Sequence, residues 1–317
     1  LSAPELVAQL RASLNDGMPL PGAGQTALRH QRLLDIARHD LSLARLAEAH
    51  WDAVAILREA GRTPKPDAIY GVWASEIPGA NLTLSPDHRL CGTKAFCSGA
   101  QLVDRALVTV GAPEPTLYEV DLRQNAAFVC YDGSSWKTSA FADTHTATVS
   151  FRSLPLSAAD VVGDSGWYLR RPGFWHGACG PAACWAGGAI GLIDYAKQQS
   201  RHDPHTLAHL GAMQATGWAL RSYLDTAGAQ IDADPGGVWA AQARALIVRH
   251  LVEQGCTDVL RRLARAYGPR PLAMESEISR RYQELDLYLR QCHAERDLEV
   301  LGRLTQEGQG EQCPAAG

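Results

Sequence analysis

A chain of 317 residues, 46% hydrophobic and 20% charged, has globular composition and room for two or three structural units, which excludes a disordered or fibrous protein. A net charge of -4 and a pI near 6.3 leave no electrostatic footprint for nucleic acid. Eight cysteines without a C-x-x-C pair exclude a structural zinc knuckle and predict reduced, packed thiols in a cytoplasmic protein.

No basic segment followed by an apolar run opens the chain, so no secretory signal is expected. Ser2, with Glu5 three residues on, reads as a capping box for a short helix over 2–15. The stretch from Met18 to Gly24 breaks it. Leu33, Ala37, Leu41, Ala44, Ala47, Trp51 and Val54 then recur at steps of three and four, which predicts one long helix over 26–60, stopped by Gly61, Pro64 and Pro66.

The pattern changes near Ile69. Residues 69–162 are rich in Thr, Val, Ser, Gly and aromatics in short alternating runs. Strands are predicted over 107–110, 117–120 and 127–131, with a turn at Asp132-Gly133. Helical periodicity returns after Trp167, with helices expected over 173–199, 207–226, 238–266 and 275–306. Residues 172–193 lack Asp, Glu, Lys and Arg but hold six glycines, Pro172, Pro181 and His176, so a buried helix packed through small residues is expected rather than a membrane span. The tail over 307–317 is polar and expected to be disordered.

The fold class predicted is mainly α with a central β domain. It comprises an N-terminal helical domain over 1–68, a small β-barrel-like domain over 69–162, a C-terminal four-helix bundle over 163–306 and the tail.

Two segments of the β region stand out. Tyr70-Gly71-Val72-Trp73-Ala74-Ser75-Glu76-Ile77-Pro78-Gly79-Ala80-Asn81 is followed, about ten residues on, by Gly92-Thr93-Lys94-Ala95-Phe96-Cys97-Ser98-Gly99-Ala100 and then by the apolar strand over 107–110. In this order and at this separation they resemble the acyl-CoA dehydrogenase superfamily, whose members carry a Thr/Ser-Glu-x-x-x-Gly-Ser-Asp segment and a Gly-x-Lys-x-Trp/Phe-x-Thr/Ser segment. Residues 148–152 and 161–164 resemble the family's exit from the β domain, and 280–285 resemble a segment of its last long helix. The similarity covers roughly 26–306.

The resemblance implies a flavin cofactor, FAD, with FMN or reduced flavin as alternatives. It implies that Phe96 lies against the flavin face and that Ser98 bonds the ring edge. It further implies that Ser75 bonds the pyrimidine end, and that Trp73 and Gly79 belong to the same cofactor-binding set. The bland reading of the same residues is a core aromatic and two turn serines.

Departures bear on the chemistry. The N-terminal helical region is near half the family's usual length. Gly79-Ala80-Asn81 lacks the hydroxyl and carboxylate of the family's Gly-Ser-Asp, and Arg201-His202-Asp203-Pro204 stands where an Arg-x-x-Phe-Gly segment is expected. The family's Glu-Gly-Thr base is absent. Glu295 lies about one helical turn from its place, and His293-Ala294-Glu295-Arg296-Asp297 resembles a segment of the two-component flavin monooxygenases in the same superfamily. An imidazole titrates near neutrality, and Asp297 one turn on could orient it. The alternative for His293 is a solvated position on a charged helix face.

His202, His205 and His209 have helical spacing, but Asp203-Pro204 interrupts it, and no metal site is expected.

Three readings stand. One is a flavin-dependent dehydrogenase acting on an acyl thioester, with hydride passing to flavin N5 and an external electron acceptor. A second is a monooxygenase supplied by a flavin reductase. The third is a homologue without activity. A homodimer or homotetramer is expected from the resemblance.

Overall fold

The computed structural model describes residues 1–14 and 17–310, with side chains as far as 307. The chain falls into two compact units, Leu1–Leu20 with Asp40–Gly177, and Pro21–His39 with Ala178–Gly317.

Helix α1, Ala3–Ser13, starts on the expected box, in which Glu5 takes both the N–H and the hydroxyl of Ser2 at 2.8 Å. The single helix expected over 26–60 is two helices, α2 (Thr26–His39) and α3 (Leu41–Glu59). Asp40 breaks it: its backbone is extended, and its carboxylate accepts the Leu43 N–H at 2.8 Å, which starts a new helix.

In the first unit, α3 is followed by eight strands among the described residues. They are β1 (Tyr70–Trp73), β2 (Leu82–Leu84), β3 (Arg89–Cys97), β4 (Arg105–Val110), β5 (Thr116–Asp121), β6 (Val129–Asp132), β7 (Ala147–Pro155) and β8 (Val161–Val162). The strand expected over 127–131 begins late, because the Phe128 N–H closes a 3₁₀ turn on the Asn125 carbonyl.

The barrel-like region is two four-stranded sheets, ordered β1-β4-β5-β8 and β2-β3-β7-β6. Only the β1–β4 pair is parallel among the described pairings. Ala53, Ile56 and Leu57 of α3 bury against Tyr70, Leu107, Leu117 and Val162 of the first sheet and against Tyr168. Buried Glu119 on β5 ties this core together, accepting from the Tyr70 hydroxyl at 3.0 Å, Arg105 at 2.8 Å and Arg62 at 2.8 Å. The unit closes with α4 (Trp167–Arg170) and α5 (Pro172–Gly177).

The second unit holds α2, α6 (Cys179–Gln198), α7 (Pro204–Ala233), α8 (Val238–Tyr267), α9 (Arg270–Met274), α10 (Ser276–Leu289) and α11 (Glu295–Gly310). Helices α6, α7, α8 and α10 form the bundle, and α2 packs on α6 and α7. The close approach of α2 to α6 needs glycine: a Cβ on Gly187 would lie 2.1 Å from the Leu34 carbonyl oxygen. Arg281 of α10 donates to the Ala37, Arg38 and His39 carbonyls at 3.1, 2.9 and 2.7 Å, satisfying the C-terminal end of α2.

The helix expected over 173–199 divides at Ala178 into α5 and α6. The one expected over 275–306 divides between Leu289 and Glu295, where Ala294 has a φ of 49°. Helix α11 runs to Gly310, so 307–310 of the expected tail are helical, and 311–317, with Cys313, lie outside the described residues. Burial pushes the thiols of Cys97 to about 12 and Cys179 to about 11, so both stay protonated packing groups. Among the described residues no helix is long and apolar enough to cross a membrane.

Candidate functional site

Of the residues singled out by sequence, Trp73, Ser75, Gly79, Phe96 and Ser98 belong to the first unit, and His293 and Glu295 to the second.

Strand β3 carries an extra residue against β7. Lys94 pairs with Val149 and Cys97 with Ala147, so three steps on one strand face two on the other. Phe96 sits in this bulge at a φ of 56°, a left-handed conformation that costs a bulky residue about 1–3 kcal/mol. The outcome is an aromatic residue that is 54% exposed between buried Ala95 and Cys97. A strained backbone and a solvated ring are both unfavourable for folding alone, so the position is not explained by the core.

Ser98 lies directly after the bulge and is buried. Its carbonyl accepts the Trp73 indole N–H at 3.1 Å, and its hydroxyl accepts the Thr146 hydroxyl at 3.1 Å. Thr146 in turn lies 3.0 Å from the Thr144 hydroxyl, which donates to the Phe141 carbonyl at 2.8 Å. Trp73 is therefore a support beneath Ser98, with its indole edge spent on backbone and its ring buried.

Ser75 and Gly79 lie in the loop between β1 and β2, Ser75 half-buried. Gly79, at a φ of 85°, forms the corner of a turn closed by the Ala80 N–H on the Ile77 carbonyl at 3.2 Å, and a Cβ on it would meet nothing within 4 Å. The Ala80 N–H is thus not directed at a ligand.

Lys94, quoted in the motif but given no role by the sequence, is 2% exposed. Its ammonium donates to the Thr109 hydroxyl at 2.8 Å, the Thr109 carbonyl at 3.1 Å and Glu76 at 3.3 Å. Burial lowers its pKa, and the adjacent Glu76 opposes that shift. Strand parity was the signal available, since Lys94 shares the face of buried Leu90. Thr146 carried no signal, because its role depends on a turn some fifty residues away in sequence from Ser98.

His293 precedes α11 rather than lying within a helix. Its N–H donates to Asp297 at 3.2 Å, and its Nδ1 lies 3.3 Å from the other Asp297 oxygen. The imidazole is 62% exposed, whereas Asp297 is mostly covered. Glu295 is exposed in the first turn of α11. The break is anchored from behind by Arg249 of α8, which donates to the Gln291 carbonyl at 2.5 Å and the Ala178 carbonyl at 3.0 Å, with its guanidinium 4.8 Å from the Trp185 ring centre. Sequence reasoning passed over Arg249, a single arginine on a helix with many charges.

Helices, a two-sheet β region and a helical bundle in this order make an acyl-CoA dehydrogenase fold, as the motif resemblance implied. No family model matches the sequence, and no curated protein matches it. Solved structures do. TdsC of Paenibacillus sp. A11-2, a dibenzothiophene monooxygenase solved with FMN and indole, is 16% identical over 99% of this chain and 98% of its own, with a TM-score of 0.76. KijD3, solved with FMN and a dTDP-linked amino-keto sugar, is 15% identical over 96% and 91%, at 0.80. Butyryl-CoA dehydrogenase of Megasphaera elsdenii is 14% identical over 88% and 81%, at 0.68. The chain shares one fold with a dibenzothiophene monooxygenase, with KijD3 and with a dehydrogenase.

Proposed function

We propose that this protein is a flavin-dependent oxidoreductase that takes FMN or an FMN-sized flavin. The observation that carries the reading is Phe96, an exposed aromatic residue on a strained bulge two residues before Ser98. Support comes from two proteins of the same fold solved with FMN. In this reading Phe96 covers one face of the ring, Ser98 donates to its polar edge, Ser75 meets the pyrimidine end, and Trp73 fixes Ser98. A mononucleotide suits the Ile77–Ala80 turn better than FAD: Gly79-Ala80-Asn81 offers neither hydroxyl nor carboxylate to a pyrophosphate, and the Ala80 N–H is already used.

The reaction class we favour is oxygenation of a small molecule, with reduced flavin delivered by a reductase. His293 supports it. When bound, reduced flavin supplies two electrons, so that one oxygen atom of O₂ enters the substrate and the other leaves as water. Asp297 faces Nδ1 of His293, so in this reading Nε2 is the atom that exchanges a proton. The aspartate fixes the ring. A second reading is α,β-dehydrogenation of an acyl thioester, in which Glu295, an exposed carboxylate in the first turn of α11, is the base.

One experiment separates them. Purified protein is supplied with FMN and either reduced enzymatically in air or mixed anaerobically with acyl-CoA thioesters. Oxygen uptake with substrate oxygenation that is lost in His293→Gln supports oxygenation. Anaerobic bleaching lost in Glu295→Gln supports dehydrogenation. Neither response, in a protein that binds no flavin, rejects the oxidoreductase reading.

A further inference from the structure

The loop that carries Ser75 and Gly79 runs from Ala74 to Asn81, between β1 and β2. Its turn closes on itself, through the Ala80 N–H and the Ile77 carbonyl. At its far end the Asn81 carbonyl accepts the Thr93 N–H at 3.1 Å, opposite Gly92, where a Cβ would lie 2.1 Å from that same oxygen. In between, the tie to the sheets is ionic: Glu76 meets Lys94 at 3.3 Å.

Lys94 is an expensive way to hold a loop. A buried ammonium loses several kcal/mol of hydration unless every donor is answered. Here three acceptors answer three donors, two of them from Thr109 on β4 and the third Glu76, whose side chain is 53% exposed. A purely structural site would be filled by an apolar side chain at equal or lower cost. Lys94 also stands two residues before Phe96, on the strand whose bulge presents that ring. One side chain thus reaches both sequence segments that carry the proposed flavin contacts.

We propose that Lys94 is a positioning residue for the flavin site, acting through Glu76 to lock the Ser75–Gly79 loop against β3 and β4. This rests on the flavin reading above. The pair sets where Ser75 sits relative to Phe96 and Ser98, so flavin affinity depends on an ion pair that touches no flavin atom. Glu76 is the lever: it lies on the surface, and its replacement removes no packing. Lys94 keeps its two bonds to Thr109 when Glu76 is neutral, so the sheets stay joined.

The test uses the full chain with Glu76→Gln, Lys94→Met and the double variant. Two readouts are taken: amide hydrogen exchange across 74–81, without flavin, and the FMN dissociation constant by fluorescence quenching. Glu76→Gln is expected to speed exchange across 74–81 and to raise the FMN constant roughly fivefold, with the melting temperature of the flavin-free protein unchanged. In the Lys94→Met background, Glu76→Gln is expected to add nothing to either readout, the signature of one shared interaction. Unchanged exchange in Glu76→Gln overturns the proposal whether or not flavin binds. Faster exchange with an unchanged FMN constant also overturns it, because the loop would then be held without serving the site. If Lys94→Met does not fold, Glu76→Gln alone decides. Absence of FMN binding by the unaltered protein would refute the flavin reading, and the exchange arm still reports on the lock.

Discussion

In the proposed reading, Phe96 sets function against stability at a single residue. Its φ of 56° is costly for a bulky side chain and free for glycine. Phe96→Gly is therefore expected to leave the flavin-free protein as stable or more stable, by about 0.5–1 kcal/mol in urea unfolding. The same change should weaken FMN binding about tenfold or more. A core aromatic would behave oppositely and lose several kcal/mol on truncation. Behind it, Thr146→Val removes the donor to the Ser98 hydroxyl, and about threefold to tenfold weaker flavin binding is expected, measured by the same quenching titration. For His293, replacing Asp297 by Asn should lower turnover while leaving flavin affinity unchanged, since the carboxylate meets the imidazole rather than the cofactor in this reading.

Helices α2 and α3 show what sequence periodicity conceals. The apolar steps Leu33, Ala37, Leu41, Ala44 and Ala47 keep one rhythm through the break, and no glycine or proline marks it. The interruption is the Asp40 side chain taking a backbone N–H, and an aspartate in a helical pattern reads equally as a surface residue. Asp40→Ala should destabilise by about 1 kcal/mol in urea unfolding. The break before α11 was hidden likewise: nothing in Gln291-Cys292-His293-Ala294 signals a stop, which comes from Arg249 holding the Gln291 carbonyl and Asp297 holding the His293 N–H.

The second unit has a pH-sensitive tie at Asp232 of α7. Burial works against its charge, yet the Thr26 hydroxyl, the Thr26 N–H and the Gly24 N–H outweigh that and hold its carboxyl below the usual value. A carboxylate with a depressed folded pKa stabilises above its unfolded value, near 4, and that contribution is lost as pH falls through the lower folded value. Unfolding free energy measured from pH 6 downward should fall below about pH 4, and Asp232→Asn should flatten this part of the profile.

At the scale of the whole chain, the fold class was legible because composition changes twice, from helical periodicity to short Thr- and Val-rich runs and back. Two spaced motifs then narrowed an otherwise general architecture to one superfamily fold, and TdsC, KijD3 and butyryl-CoA dehydrogenase share it. The region expected as barrel-like resolves into two sheets, because register and strand order depend on long-range pairing that local alternation does not encode. Within the candidate site, Phe96 and Ser98 were visible in the motif. Their supports, Lys94, Thr146 and the Trp73–Ser98 bond, emerge only when β1, β3 and β7 come together.

All of this turns on flavin binding at Phe96. The decisive measurement is an FMN titration of the purified protein, oxidised and reduced, alongside Phe96→Gly. Saturable one-to-one binding in the micromolar range or tighter, weakened at least tenfold in a fully folded Phe96→Gly, is the expected result. Binding unaffected by the substitution, or no binding of either form of the flavin, would remove the basis of the proposed function.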